Sequence, residues 1–343
     1  MIVKRKTILV TLICNLYGSF VLIAPTYAED ASKFAMTTSD TESVSGEFTI
    51  TLKGQNIQDL YAYEAKLSFD TSKLEVVKAD TKIAGFSVSP IVKDNVVTFA
   101  HTKVGNVDGE KGDLDIGTIT FKAKKVGSSN IKWTSMKIVD HVLKNQAYTL
   151  DDSTVFTKIF SDLAGHWAKS DIMMMVDKNI VEGMDDDHFE PDTNVTRAQF
   201  ATLLSKALNL KETTVKNPFT DVATGSWYEN AVKNAYAAGI IDGISNNEFA
   251  PEKNITREEM TAMLIRAKSQ ATGTKVEDMT VNTSIHFNDE DAVSVWAQKV
   301  VNLAVGSGLM NGRTDQIFAP QEHANRAEAV VVLKRLLAGL GTI

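Results

Sequence analysis

Hydrophobic positions alternate with a period of two from residue 33 to 158, then follow a helical period from 160 to about 340, so the chain divides into a β half and an α half. In the first half Phe48, Ile50 and Leu52 alternate with Thr49, Thr51 and Lys53. Tyr61, Tyr63, Ala65, Leu67 and Phe69 alternate with Ala62, Glu64, Lys66, Ser68 and Asp70. Residues 96–102, 118–124 and 131–139 have similar β-rich composition, with turn signals at 93–95, 105–112 and 127–130 between the runs. Strands with one apolar and one polar face predict a two-sheet sandwich. By parity Tyr61, Tyr63, Phe69 and Trp133 point inward. That leaves no aromatic platform for a sugar and favours a protein-binding or spacer role.

The second half repeats one message three times. After Trp167, Trp227 and Trp296 comes a Gly at 16 residues (Gly183, Gly243, Gly312), a Phe at 22, a Pro at 24 and an Arg at 30 (Arg197, Arg257, Arg326). A Phe-x-Asp triplet precedes each Trp, ending at Asp162, Asp221 and Asp289. Spacing this strict describes one structural unit copied three times. Each copy reads as helix, loop, helix. Asn179, Gly239 and Gly308 are suited to the left-handed position that ends the first helix. Thr196, Thr256 and Asn325, each with Gln or Glu three residues on, form capping boxes for the second. Asp185, Asp186 and Asp187 are matched by Ser, Asn, Thr and Gln as well as Asp in the other copies, which favours a solvated turn over a metal site.

The repeated Arg needs a reason of its own, because a cation in a first helical turn opposes the helix dipole. Two roles are open. It pairs with a carboxylate inside the fold, with Asp162, Asp221 and Asp289 as candidates, or it joins free N–H groups at the helix start to hold an anion. The Trp residues are similarly open between core and sugar platform.

Residues 1–28 read as a signal peptide, with Lys4, Arg5 and Lys6 before a broken apolar run and small residues ahead of a cut after Ala28. A membrane anchor is the rival reading, disfavoured by the short run. Cys14, the only cysteine, follows Ile13 and so does not suit lipid attachment. The whole chain of 343 residues has a net charge of −7, and losing three basic leader residues makes it −10. That acidity argues against nucleic acid, and no second run is long enough for membrane insertion. The six His residues form no ligand-spaced cluster, and no nucleophile motif or phosphate loop is present, so no metal, cofactor or catalytic residue is expected.

The β half resembles a cohesin domain in Val44-Ser45-Gly46-Glu47, in 67–70 followed by Lys73-Leu74-Glu75-Val76-Val77, and in 119–124 ahead of Gly127. The resemblance implies a jelly-roll sandwich over residues 33–158 that binds a dockerin-bearing protein through one sheet, with Ala62, Glu64, Lys66 and Ser68 on that face. Many cohesins carry Asn-x-Asp where this chain has Ala62 and Glu64.

The α half resembles three S-layer homology domains, at 160–210, 219–270 and 287–340, through Phe-x-Asp, Trp, Gly, Phe-x-Pro and the Thr-Arg-Ala-Glu-like motif. The family implies a mainly α, pseudo-threefold bundle with grooves that hold secondary cell wall polymer, in several species through a pyruvylated sugar. Carried over by position, Arg197, Arg257 and Arg326 meet the carboxylate, and Trp167, Trp227, Trp296, Gly183, Gly243 and Gly312 shape the grooves. Gln199, Glu258 and Asn325 depart from the family pattern. Glu258, beside Arg257, is expected to weaken one site, giving unequal grooves. The two resemblances together imply a secreted, non-catalytic protein at the cell wall or S-layer that docks polysaccharide-degrading enzymes. The alternative is a structural envelope protein whose sandwich is a spacer or glycan-binding module. The absence of a Pro- or Ser-rich linker near 155–160 predicts limited freedom between the halves.

Overall fold

The structure, a computed structural model, describes residues 31–281 and 286–343. The expected leader lies outside the described residues. Ten strands come first: β1 (Lys33–Thr38), β2 (Glu42–Ser43), β3 (Glu47–Leu60), β4 (Ala62–Phe69), β5 (Leu74–Asp80), β6 (Phe86–Lys93), β7 (Val96–Thr102), β8 (Glu110–Ala123), β9 (Gly127–Val139) and β10 (Asn145–Lys158). They form a four-stranded sheet in the order β1-β3-β8-β5 and a six-stranded sheet in the order β2-β10-β9-β4-β7-β6.

The apolar parity of the sequence becomes the inner faces. Phe48, Ile50, Leu52, Tyr63, Ala65, Leu67, Phe69, Phe99, Phe121, Trp133 and Phe156 belong to one core. Tyr61 departs from its parity: it sits between β3 and β4, half-buried, with its hydroxyl donating to Gly105 O at 2.7 Å. The expected turn at 105–112 ends early, since β8 already starts at Glu110, and 127–130 is strand instead of turn: it opens β9, where Gly127 to Asn130 pair with Lys158 to Val155. A partner strand overrides polar composition there.

Six helices follow: α1 (Lys169–Asp177), α2 (Arg197–Ala207), α3 (Glu229–Ala237), α4 (Arg257–Thr272), α5 (Gln298–Gly306) and α6 (Arg326–Gly339). Asn179, Gly239 and Gly308 are left-handed just past α1, α3 and α5, with φ of 56°, 70° and 71°. The second helix of each repeat packs on the first helix of the next: α2 on α3, α4 on α5, and α6 back on α1. One hydrophobic core therefore runs through all three repeats.

The threefold relation is closed by backbone at the centre. Val195 N donates to Ala324 O at 2.9 Å, Ala324 N to Ile255 O at 3.0 Å, and Ile255 N to Val195 O at 2.9 Å. No repeat can satisfy its own central segment. The bundle is consequently a ring that needs all three members.

Candidate functional site

The motif Arg is first a fastener between repeats. Arg197 Nε donates to Phe249 O at 2.8 Å and Nη2 to Asp242 O at 3.0 Å. Arg257 does the same to Phe318 O (2.8 Å) and Asn311 O (2.7 Å), and Arg326 to Phe189 O (2.9 Å) and Glu182 O (3.1 Å). Each guanidinium also lies over the ring of that Phe, 4.5 to 5.1 Å from its centroid. Arg197 and Arg257 are buried and Arg326 is half-buried. Burial pushes all three guanidinium groups below their ordinary pKa, opposed by Glu259 near Arg197, Glu328 near Arg257 and Glu190 near Arg326.

Arg197 and Arg257 do meet a carboxylate inside the fold, Glu259 at 3.5 Å and Glu328 at 2.8 Å, but it is not the Asp of the motif. Asp162 accepts from Phe189 N and Glu190 N, Asp221 from Phe249 N and Ala250 N, and Asp289 from Phe318 N and Ala319 N. They hold Glu190, Ala250 and Ala319 left-handed, at φ of 58°, 56° and 59°, a conformation that costs a residue with a side chain about 1 kcal/mol or more.

The helix starts are also not free. In α2, Arg197 N and Ala198 N donate to Lys253 O and Pro251 O of the next repeat, and Gln199 N donates to the Thr196 hydroxyl. The pattern recurs at α4 and α6. The helix N-termini are therefore taken, and only side-chain cations along the grooves are left to meet an anion.

Gly183, Gly243 and Gly312 have a steric reason. A Cβ there would lie 2.4, 2.7 and 2.6 Å from Cε1 of Phe160, Phe219 and Phe287, and as close to backbone oxygens of the turn. The indoles go the other way: Trp167, Trp227 and Trp296 are 64%, 61% and 55% exposed, too open for core. Trp133, by contrast, is fully buried in the sandwich.

A cavity of about 580 Å³ shows how these residues converge. It is lined by Trp167, Arg257 and Gly312, from repeats one, two and three, together with Arg313, Glu328 and Arg335. By the threefold relation the equivalent residues are Arg326, Gly183 and Trp227, and Arg197, Gly243 and Trp296. The sequence spreads such a set over three repeats, and the fold brings Trp167, Arg257 and Gly312 to one groove. Arg313 and Arg335 lie outside the repeated motif, so pattern reading missed them. A cation nine residues after each motif Arg (Lys206, Arg266, Arg335) was the available signal.

The grooves are unequal, but not through Glu258. That side chain is buried, and its carboxylate accepts from Ser294 N at 3.0 Å and Ser294 Oγ at 2.7 Å, bracing the loop before Trp296. The capping-box residue makes the difference. Glu259 and Glu328 lie 3.5 and 2.8 Å from Nη1 of Arg197 and Arg257, whereas Gln199 gives Arg326 no carboxylate.

In the sandwich, Ala62, Glu64, Lys66 and Ser68 all lie on the half-exposed face of β4, with Glu64 and Lys66 paired at 3.0 Å. Across β7, Ala62, Glu64 and Lys66 are in register with Phe86, Val88 and Ile91 of edge strand β6. Those three are exposed, giving the outer sheet an apolar margin. In the acidic turn Asp185 accepts from the N–H groups of Asp187 and His188. No group of metal-ligating side chains occurs among the described residues.

Modules and relatives define the class. Residues 33–155 match the cohesin domain, and 159–201, 218–261 and 286–330 each match the S-layer homology domain. The chain thus joins a cohesin domain to a triplet of S-layer homology domains. Both are non-catalytic modules.

Among similar proteins, an amylopullulanase of Thermoanaerobacterium thermosulfurigenes is 38% identical over 68% of this chain and 11% of that protein. Exoglucanase XynX of Acetivibrio thermocellus is 42% identical over 52% of this chain and 16% of its own length. S-layer protein sap of Bacillus anthracis is 32% identical over 54% and 22%. The chain thus spans a small fraction of the relatives it matches. A type II cohesin domain of Acetivibrio cellulolyticus aligns with 36% of this chain and 94% of its own, at 14% identity and a TM-score of 0.31.

Proposed function

We propose that this chain is a non-catalytic anchor at the cell surface. Its bundle holds an acidic secondary cell wall polymer, in which a pyruvylated sugar supplies the carboxylate, and its sandwich docks dockerin-bearing proteins such as polysaccharide-degrading enzymes. The observation that carries the first part is the convergence of an exposed indole and several guanidinium groups in one groove. The indole face packs against sugar C–H groups, and the guanidinium groups compensate a carboxylate. Three modest sites on one polymer give firm attachment through effective concentration. The leader delivers the chain to the outside. No helix among the described residues is long and apolar enough to cross a membrane, and attachment by the polymer needs none.

The docking part rests on the sheet face carrying Ala62, Glu64, Lys66 and Ser68, extended by Phe86, Val88 and Ile91. An apolar margin beside a polar centre is how a protein-binding surface differs from a solvated strand.

Sedimentation of the full chain with purified wall polymer, before and after removal of its acidic substituents, tests attachment. Binding that survives the removal unchanged rejects the carboxylate. Immobilised full chain challenged with purified dockerin modules tests docking. Capture abolished by Ile91→Asp supports this face. Failure to capture any dockerin favours the spacer reading.

A further inference from the structure

Cations equivalent to Arg335 in the other two repeats are neutralised by the residue before the groove Gly. Lys206 pairs with Glu182 at 2.7 Å, and Arg266 pairs with Asp242 at 2.8 Å. In the third repeat that residue is Asn311. Its amide, oriented to suit its neighbours, donates to Met310 O at 3.1 Å and accepts from Arg335 Nη2 at 3.3 Å. Arg335 Nη1 reaches only Leu309 O, at 3.5 Å. Among the described residues no carboxylate lies at ion-pair distance from Arg335, although it lines the cavity under Trp167.

The other two guanidinium groups of that cavity are committed. Arg257 spends Nε, Nη1 and Nη2 on Phe318 O, Glu328 and Asn311 O. Arg313 is held by Glu328, Glu322 and His323 O.

Resting on the wall-polymer reading above, we propose that Arg335, rather than the motif residue Arg257, is the anion-binding residue of the groove under Trp167. At the two equivalent positions the corresponding cation, Lys206 or Arg266, is already neutralised by its carboxylate neighbour. The ligand class is a saccharide unit bearing a carboxylate. Its ring lies against Trp167, and its carboxylate takes the guanidinium N–H groups that Asn311 leaves unneutralised. A planar fork suits a carboxylate in two-point contact, which an ammonium supplies less well. Partial burial of Arg335 lowers the screening that an exposed cation would suffer.

The indoles make the test groove by groove. Full-length protein with 15N-labelled Trp is titrated with a methyl hexoside carrying a 4,6-pyruvate ketal, and with the unmodified methyl hexoside. The four indole N–H signals are assigned by single substitutions. The acidic probe is expected to shift the Trp167 signal saturably, and the neutral probe to do so at least tenfold more weakly. The buried Trp133 serves as internal reference. Arg335→Gln is expected to weaken the Trp167 response about tenfold or more, Arg335→Lys to recover part of it, and Arg266→Gln to leave it within about twofold. Thermal unfolding of each variant checks the fold. An unchanged Trp167 response in folded Arg335→Gln overturns the assignment of Arg335 while leaving the polymer reading intact. Acidic-probe shifts at Trp296 but not Trp167 overturn the choice of groove. If no indole responds to the acidic probe, the polymer reading itself fails.

Discussion

At the residue scale the repeated Arg fastens one repeat to the next. Its Nε and Nη2 are used by carbonyls of the next repeat, so replacing it leaves buried acceptors without donors. Each such loss costs about 1–3 kcal/mol. Arg257→Lys is expected to lower the unfolding free energy by about 2–3 kcal/mol, because an ammonium cannot reach Phe318 O, Asn311 O and Glu328 together. Urea denaturation measures this, and a loss under about 0.5 kcal/mol would show that the side chain fastens nothing. Loss of wall binding in Arg→Ala variants therefore needs a stability control before it is read as loss of a ligand contact.

His141 offers a second residue-scale check. A hydrogen bond and charge attraction from Asp59 raise its pKa above the ordinary value. Its contribution to stability is present below the unfolded pKa of about 6.5 and is lost as pH rises through the higher folded value. An NMR titration should place His141 above 6.5 and return it near that value in Asp59→Asn.

At the element scale the loop from Gly to Pro is the working part of each repeat. Phe249 faces Arg197 of the previous repeat through its ring and carbonyl, and Asp221 of its own repeat through its N–H. Ala250 is left-handed under that constraint. Ala250→Gly is expected to stabilise the bundle or leave it within about 0.5 kcal/mol, since relief of strain opposes added unfolded-state entropy. Asp221→Ala should cost about 2–3 kcal/mol, because two backbone donors lose a charged acceptor. Equal melting of the two variants would reject this account of the loop.

How much of this could be read in advance follows the same elements. Strand parity placed Phe48, Leu67 and Trp133 in the core, and the capping boxes at Thr196, Thr256 and Asn325 were readable because each lies within four residues. The Arg fasteners were not readable. Their partners lie 45 to 144 residues away on another repeat, and a pattern of identical copies does not say which copy touches which. Arg335 escaped for a related reason. It resembles Lys206 and Arg266, and only the change of its distant neighbour to Asn311 sets it apart.

At the scale of the whole molecule, ring closure and the junction determine how load passes from sandwich to wall. The Val195, Ala324 and Ile255 bonds, with α6 packed on α1, mean that repeats one and two alone leave donors, acceptors and an apolar face open. A chain ending before repeat three is expected to lose the cooperative melting transition of the bundle and keep that of the sandwich. A repeat array that melts piecewise would instead retain two thirds of its signal.

The sandwich enters this ring without a spacer. β10 ends at Lys158, and Ile159 and Phe160 are already in the bundle core. Asp177 accepts from Ser128 N at 2.7 Å and Ser128 Oγ at 2.6 Å, Lys169 meets Glu42 at 2.7 Å, and Val126 packs against the bundle. The surface ion pair adds little by itself. The two bonds to Asp177, backed by apolar contact, are what fix the angle between the halves. In the intact protein both halves should tumble with one rotational correlation time in NMR relaxation. Asp177→Ala should shorten that of the sandwich relative to the bundle without lowering either melting temperature by more than a few degrees. Two distinct correlation times in the unsubstituted protein would show that the junction does not transmit orientation, and the docking face would then be free to point anywhere relative to the wall.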